Sequence, residues 1–317
     1  MDFTVQNYKD TRSGFGEGLL EAGRRNPKVV AFCADLIGSL KMGDFAKEFP
    51  QRFFQTGIAE ANMINMAAGM ALSGFVPFTG TFAAFSTGRV FDQIRQSVAY
   101  SNKNVKIAAS HAGITLGEDG ATHQILEDIG MMKMLPNMTV ISPCDATQTR
   151  IAVQKAIAHP CGPVYIRFGR EAVPDFTDEN QDFTIGKGQM MKQGSDITIV
   201  ATGHEVWHSL VAADTLEQQG ISVRVINIHT IKPLDRDILL KAAKETRMIF
   251  TVEEHQVAGG LGGAVAESLS EIHPTRIVRI GINDRFGESG QADELMHNFG
   301  LDTDGIVNKI RSTLQDD

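Results

Sequence analysis

The chain has 317 residues, a length that suggests two domains, each with its own hydrophobic core. Hydrophobic residues make up 42% and charged residues 21% of the sequence, which excludes a disordered chain, a collagen-like repeat and a small disulfide scaffold. The net charge of −8 disfavours nucleic acid as a partner.

Short β-branched segments alternate with helical patterns in the first half of the chain. Strands are predicted at residues 29–34, 53–55, 76–79, 105–109, 138–142 and 164–168, and helices at 58–72, 86–102, 123–134 and 146–158. This alternation predicts a parallel sheet that is covered by helices on both faces.

The segment 173–193 is acidic and rich in turn residues, which predicts a linker or an edge hairpin. The alternation then resumes, with strands predicted at 197–201, 223–228, 248–252 and 276–280 and helices at 204–219, 235–243, 260–272 and 304–314. We therefore predict an α/β fold with two consecutive three-layer α/β domains and mainly parallel sheets. The first domain covers 1–175, the linker 176–193 and the second domain 194–317.

The second domain is predicted to have no catalytic role. Its glycine-rich run 259–263 does not fit the GxGxxG pattern, and no acidic residue follows at the distance that dinucleotide binding requires. Close packing of a helix against a strand explains these glycines better.

Cysteine usage and the amino terminus indicate the compartment. Cys33, Cys144 and Cys161 form no CxxC pair, which favours a reducing environment and disfavours structural zinc. The first ten residues lack the basic-then-apolar order of a signal peptide, and glycine, proline and polar residues interrupt the longest uncharged stretch. We expect a cytoplasmic protein that does not span a membrane.

Chemically useful side chains follow the predicted strands of the first domain. Ligands of parallel α/β sheets bind beyond the carboxyl ends of the strands. The residues that the sequence places at this edge are Asp35, Ser39, Glu60, Phe82, Phe85, His111, Asp119, His123 and Arg170.

Glu60 begins a predicted helix, where the helix dipole ordinarily favours a carboxylate. The segment 57–74 has no other ionisable side chain, so apolar surroundings could instead favour a protonated carboxyl held against a nitrogen heterocycle. Phe82 and Phe85 are three residues apart, which is typical of core packing but also suits a stacking wall for a flat ring.

Two histidines, His111 and His123, flank a glycine-rich loop with an acidic pair. This arrangement favours acid–base chemistry over a purely structural role, and the spacing disfavours a metal site. Arg12 and Arg170 are ordinary surface arginines by default. Together with Ser39 and His111 they could clamp a phosphate group, because the guanidinium fork matches its oxygens.

Three motifs of this chain resemble those of the transketolases, thiamine-diphosphate enzymes that move a two-carbon ketol unit between sugar phosphates. They are Gly57-Ile-Ala-Glu60-Ala-Asn-Met63, Thr81-Phe82 with Phe85, and Gly117-Glu-Asp-Gly-Ala-Thr-His123-Gln124. The resemblance covers essentially the whole chain but only the C-terminal half of a standard transketolase. It implies a pyrimidine-binding domain followed by a transketolase C-terminal domain.

The resemblance also implies roles for individual residues. Glu60 matches the glutamate that hydrogen-bonds the pyrimidine ring and activates the cofactor, and Asp35 matches an aspartate near the cofactor. Phe82 and Phe85 match aromatic residues around the pyrimidine, and Gly88 falls on a third such position that is sometimes aromatic. His123 and Asp119 match residues that touch substrate hydroxyls, with His123 a candidate for proton transfer. His111, Arg12, Ser39 and Arg170 match the sugar-phosphate grip, and His111 is also expected to take part in catalysis.

One family motif is missing, because the sequence has no Gly-Asp-Gly segment to hold the diphosphate and its Mg²⁺. The resemblance therefore implies that this chain is the C-terminal subunit of a split transketolase, with no metal ligands of its own. A separate N-terminal subunit would carry the Gly-Asp-Gly motif and the Mg²⁺ ligands. We expect an α₂β₂ assembly with active sites between chains.

Three alternatives stay open from the sequence. A 1-deoxyxylulose-5-phosphate synthase shares related motifs, but it is normally a single longer chain. The beta subunit of a 2-oxo-acid dehydrogenase has about this length, but it lacks the histidine-rich loop. A non-catalytic paralogue on the same fold is disfavoured because Glu60 and both histidines are present.

Overall fold

The computed structural model describes residues 4–159 and 162–316. Its strands are β1 Asn7–Asp10, β2 Val29–Cys33, β3 Phe53–Gln55, β4 Val76–Phe82, β5 Lys106–Ser110, β6 Thr139–Ile141, β7 Val164–Arg167, β8 Ala172–Asp175, β9 Gln189–Lys192, β10 Ile197–Ala201, β11 Val223–Asn227, β12 Thr230–Lys232, β13 Ile249–Gln256 and β14 Ile277–Ile282. Its α-helices are α1 Thr11–Arg25, α2 Gly43–Glu48, α3 Glu60–Leu72, α4 Ala83–Ser86, α5 Phe91–Gln93, α6 Asp128–Met134, α7 Ala146–Ala158, α8 Glu205–Glu217, α9 Arg236–Glu245, α10 Leu261–Ile272, α11 Ala292–Asn298 and α12 Thr303–Gln315. Cys161 lies outside the described residues, whereas Cys33 and Cys144 are buried free thiols.

The first sheet has seven strands in the order β12-β6-β7-β5-β4-β2-β3. The six strands from β2 to β7 are mutually parallel, and β12 pairs antiparallel with β6 at the edge. Strand β2 reads Val-Val-Ala-Phe-Cys and is buried throughout. Such continuous apolar segments form central strands, because helices cover both faces of a parallel sheet.

Helices α1 and α7 pack against each other over one face of this sheet. Asp10 caps α1 by accepting a hydrogen bond from Ser13 N at 3.0 Å, and Asp145 caps α7 by accepting one from Gln148 N at 2.7 Å. Gly14 allows the helices to approach closely, since a Cβ at this position would lie 2.0 Å from the carbonyl oxygen of Ala146.

The second sheet has five strands in the order β14-β13-β10-β11-β9. Strands β10, β11, β13 and β14 are parallel, and β9 pairs antiparallel with β11 at one edge. The fold therefore comprises two α/β units with mostly parallel sheets, as the sequence predicts.

The segment 173–193 is not a hairpin, because its two strands join different partners. Strand β8 pairs antiparallel with β1, whereas β9 extends the second sheet. The predicted linker 176–193 thus ends in a strand of the second sheet. Strand β12 joins the two halves in the other sense. It follows β11 in the chain but pairs with β6 of the first sheet.

Two predicted helices are wrong in extent. The helix predicted at 123–134 begins only at Asp128, because the backbone N–H groups of His123 and Gln124 both turn back to the carbonyl of Gly120. The helix predicted at 86–102 breaks into α4, α5, a 3₁₀ turn at Gly88–Val90 and a π-helix at Ile94–Tyr100. In the described part of the chain, no helix is long and apolar enough to cross a membrane.

A buried polar cluster lies where the two halves of the chain meet. The carboxylate of Asp128 accepts hydrogen bonds from Arg167 Nε at 2.9 Å and from the Tyr165 hydroxyl at 2.6 Å. Arg167 also donates to the backbone carbonyl of Glu254, in strand β13, at 2.8 Å. Asp128 is 0% and Arg167 5% exposed, so each buried charge depends on the other.

Replacing Asp128 with asparagine removes the carboxylate that meets the Arg167 guanidinium directly and leaves that buried charge without its nearest counter-charge. We expect Asp128→Asn to lower the free energy of unfolding by about 3–5 kcal/mol, measured by urea denaturation of the chain. Tyr165→Phe is the control, because it removes only one hydrogen bond to the same carboxylate and should cost about 1–2 kcal/mol. Equal losses for the two variants would contradict a central role for the ion pair.

Candidate active site

The carboxyl ends of the parallel strands bring most of the predicted site residues to one edge of the first sheet. Phe82 ends β4, while Asp35, His111 and Arg170 follow β2, β5 and β7. Glu60, which follows the short strand β3, is the first residue of α3. This is the edge at which open α/β sheets bind ligands.

Glu60 is only 4% exposed, and its Oε1 lies 3.0 Å from Arg89 Nη1. The apolar surroundings expected from the segment 57–74 are therefore incomplete, because a guanidinium group contacts this carboxylate. The counter-charge comes from outside the segment 57–74, on the 3₁₀ turn that follows α4, so counting charges along the helix could not reveal it. Arg89 also lies over the ring of Phe85, with its Cζ 4.1 Å from the ring centroid.

Aromatic rings form a continuous wall beside Glu60 and Arg89. Phe82 and Phe85 stack with centroids 5.6 Å apart, and the imidazole of His111 stacks on Phe82 at 3.8 Å. His123 meets Phe85 edge-on at 5.3 Å. Both histidines therefore contact the aromatic pair that the sequence singles out.

His111 has a left-handed backbone, with φ of 58°, and is only 3% exposed. Such a conformation is uncommon outside glycine and is concentrated at functional sites. Its Nδ1 lies 2.8 Å from Ser110 Oγ. Burial, with smaller contributions from the positive charges of Arg12 and Arg170, lowers the pKa of His111 to about 3. The imidazole is therefore neutral at physiological pH.

The two arginines of the predicted phosphate grip are held by the chain itself. Arg12 Nη1 donates to the backbone carbonyl of Ser39 at 3.1 Å, and its Nε lies 3.2 Å from Asp10 Oδ1. Arg170 Nη1 donates to the carbonyl of Leu116 at 2.6 Å and to Glu118 Oε2 at 2.7 Å. The positive charges of both arginines help to lower the pKa of His111.

Asp35 and Asp119 do not share the buried environment of Glu60 and His111. Both are exposed, Asp35 at a left-handed position with φ of 59° and Asp119 in the loop between the two histidines. The backbone N–H of Asp35 donates to Gln55 Oε1 at 2.7 Å.

A cavity of about 600 Å³ lies away from this edge, against Thr177, Gln181, Met190 and their neighbours. None of the predicted site residues lines it. Within residues 4–159 and 162–316, no group of three or more His, Cys, Asp or Glu side chains is placed to hold a metal ion.

Two family models together match most of the chain. Residues 7–175 match the pyrimidine-binding domain of transketolase, and residues 186–306 match the transketolase C-terminal domain. The chain belongs to the transketolase family.

Similar proteins within this family include chains that are named as transketolase subunits. The chain is 43% identical to a subunit of 6-deoxy-6-sulfo-D-fructose transketolase from Clostridium sp., covering 93% of this chain and 92% of that protein. It is 42% identical to a subunit of apulose-4-phosphate transketolase from Phocaeicola vulgatus, covering 95% and 96%. A solved split-gene transketolase, described as an inactive beta4 tetramer, superimposes with a TM-score of 0.90 at 47% identity over 97% of this chain and 99% of that chain.

The low pKa of His111 makes the stability of this transketolase-family chain depend on pH. The unfolded imidazole binds a proton below its ordinary pKa of 6.5, whereas the folded one stays neutral down to about 3. The stability from neutral His111 is therefore complete above pH 6.5 and is lost as the pH falls through that window.

We expect His111→Gln to reduce the loss of unfolding free energy between pH 7 and pH 5 by about 2 kcal/mol. The buried histidines His204 and His229, whose pKa values burial lowers to about 3 and about 4, act in the same direction and remain in the variant. Urea unfolding at the two pH values measures the difference. An imidazole resonance of His111 that titrates near its ordinary pKa would contradict the assignment.

Proposed function

We propose that this chain is the C-terminal subunit of a transketolase that transfers a two-carbon ketol unit from a ketose phosphate to an aldose phosphate with thiamine diphosphate. The observation that carries the proposal is the buried carboxylate of Glu60 beside the stacked wall of Phe82 and Phe85, with His111 and His123 on the same wall.

The donor set at this edge fits the pyrimidine end of the cofactor. A buried carboxyl group can hydrogen-bond a ring nitrogen, and two stacked phenyl rings offer a flat apolar surface. Thiamine diphosphate, when bound, supplies the electron sink for the transferred carbon unit. In this chain Glu60 would hydrogen-bond the ring, Phe82 and Phe85 would orient it, and the aromatic wall would exclude water from it.

We assign movement of the substrate proton to His123. Its Nδ1 lies 2.9 Å from Thr122 Oγ1, so Nε2 is the nitrogen left for a substrate hydroxyl. Asp119 lies in the same loop and supplies a second polar contact to the sugar. His111 stays neutral and therefore acts as a hydrogen-bonding group and not as a permanent charge.

Arg12 and Arg170, with Ser39 and His111, form the anion grip for the substrate. Two guanidinium groups beside a neutral imidazole suit a tetrahedral anion, because each offers paired N–H donors. The names of two relatives specify a sulfosugar and a sugar phosphate as substrates. We therefore assign this chain an anionic ketose donor, and we take phosphate as the anion.

A separate N-terminal subunit completes the enzyme in this proposal. The chain has no Gly-Asp-Gly motif, and its relatives carry the words subunit or split gene in their names. We assign the diphosphate and Mg²⁺ ligands to that partner, Asp35 to the cofactor region between subunits, and an α₂β₂ stoichiometry to the assembly. The division of this chain into domains at 1–175 and 194–317 is part of the same proposal.

The deciding experiment is a ketol-transfer assay with xylulose 5-phosphate, ribose 5-phosphate, thiamine diphosphate and Mg²⁺. We expect no turnover from this chain alone and turnover when a partner with the Gly-Asp-Gly motif is added. The matched control is the same complex with Glu60→Ala, which should bind its partner but lose activity by at least about 100-fold. Turnover by the chain alone would overturn the split-site proposal, and turnover with pyruvate in place of the ketose phosphate would favour the synthase or dehydrogenase alternatives.

Arg170→Ala tests the anion grip. We expect the KM for the phosphorylated ketose to rise about 10–100-fold, because one charge-assisted contact of about 1.5–3 kcal/mol is lost. Arg236→Ala is the control, since Arg236 forms an exposed ion pair with Glu271 in the second half of the chain. An unchanged KM for Arg170→Ala would remove this residue from the grip.

A further inference from the structure

The loop that carries both histidines is held in place by the second half of the chain. We define the substrate loop as residues 111–124. Thr115 N donates to Glu254 Oε1 at 2.7 Å, and Gln124 Nε2 donates to the backbone carbonyl of Glu288 at 3.0 Å. A third contact joins Gln291 Nε2 to Glu118 Oε1 at 3.2 Å.

Among these contacts, the one made by Glu254 is fully enclosed. Glu254 is 4% exposed, and its own backbone carbonyl is fixed by Arg167. The substrate loop packs closely against the carboxylate of Glu254 at Gly113, which has a φ of +89°. A Cβ added there would lie 2.2 Å from the carboxyl carbon of Glu254. The loop backbone and this side chain therefore fix each other's position.

The neighbouring residue shows that a buried glutamate on this strand need not reach the loop. Glu253 is 0% exposed, and its carboxylate accepts hydrogen bonds from Leu261 N at 2.6 Å and Gly262 N at 2.7 Å. It stabilises the start of α10 within its own half of the chain. Successive side chains of a strand point to opposite faces, so Glu254 crosses to the first half.

We propose that Glu254 is a positioning residue for catalysis, which sets the substrate loop through Thr115 so that His111 and His123 face the substrate. The second half of the chain thereby influences the geometry of the site without contributing a catalytic residue. This inference rests on the proposed function, since it takes the substrate loop to be the part that binds the sugar phosphate.

Two substitutions separate the hydrogen bond to Thr115 from the carboxyl group itself. Glu254→Asp keeps a carboxyl group on the side chain but withdraws its oxygen from Thr115 N by one methylene group. Glu254→Gln removes the carboxyl group but keeps an oxygen acceptor at the same reach. Glu253→Gln is the matched control, because this neighbour is equally buried and contacts only its own half of the chain.

In the assembled complex, we expect Glu254→Asp to raise the KM for xylulose 5-phosphate about 10-fold and to lower kcat, whereas Glu254→Gln stays within about threefold of the unsubstituted enzyme. Thiamine diphosphate affinity should be unchanged in both variants, because neither touches Glu60 or the aromatic wall. Glu253→Gln should lower thermal stability without changing KM. The reverse order, with Glu254→Gln the more impaired variant, would overturn the proposal and assign Glu254 to charge balance with Arg167.

Hydrogen–deuterium exchange of the isolated chain gives a readout that does not depend on turnover. We expect the peptide containing Thr115 to exchange at least about 10-fold faster in Glu254→Asp than in Glu254→Gln or Glu253→Gln. Equal exchange in all variants would overturn the positioning role. If the unsubstituted complex shows no ketol transfer, the proposed function fails, and the exchange rates still decide whether Glu254 holds the loop.

Discussion

The ion pair between Asp128 and Arg167 is the interaction on which the joined structure depends. Two charges this deeply buried are tolerated only as partners of each other. Asp128 begins α6, Arg167 ends β7, and the second guanidinium contact reaches the backbone of β13. One pair therefore ties a helix and a strand of the first unit to the central region of the second sheet.

Strand pairing also joins the two units, through main-chain hydrogen bonds. Strand β12 is an edge strand of the first sheet although it lies in the second half of the sequence. It covers one side of β6, so the second half cannot move away without breaking main-chain hydrogen bonds. The substrate loop is connected to β5 and α6, both in the first unit, and it contacts the second unit at Glu254, Glu288 and Gln291. Its position is thus determined by the packing of the two units.

The sequence predicts the parts of this arrangement that depend on local pattern. The apolar segment Val29–Cys33 is a central strand, and the site residues at the ends of β2, β4, β5 and β7 meet at one edge because parallel strands point the same way. The pairing of β12 with β6 could not be predicted, since so short a strand contains no signal for a partner about 90 positions away. The start of α6 at Asp128, and not at residue 123, also depends on contacts that the local pattern does not show. The turn at Gly120 and the contacts of Gln124 with Ile114, Gly117 and Glu288 outweigh the helical pattern of 123–134.

The neighbours of Glu60 and Glu254 show why side-chain roles are harder to predict than strands. Each carboxylate is buried, and each is met there by a group from a distant part of the chain. For Glu60 that group is Arg89, and for Glu254 it is the N–H of Thr115. A charged carboxylate buried without such a partner would cost several kcal/mol, so the partner favours the charged form at each position. Arg89 meets Glu60 at the carboxyl-end edge of the first sheet, and Thr115 connects Glu254 to the substrate loop.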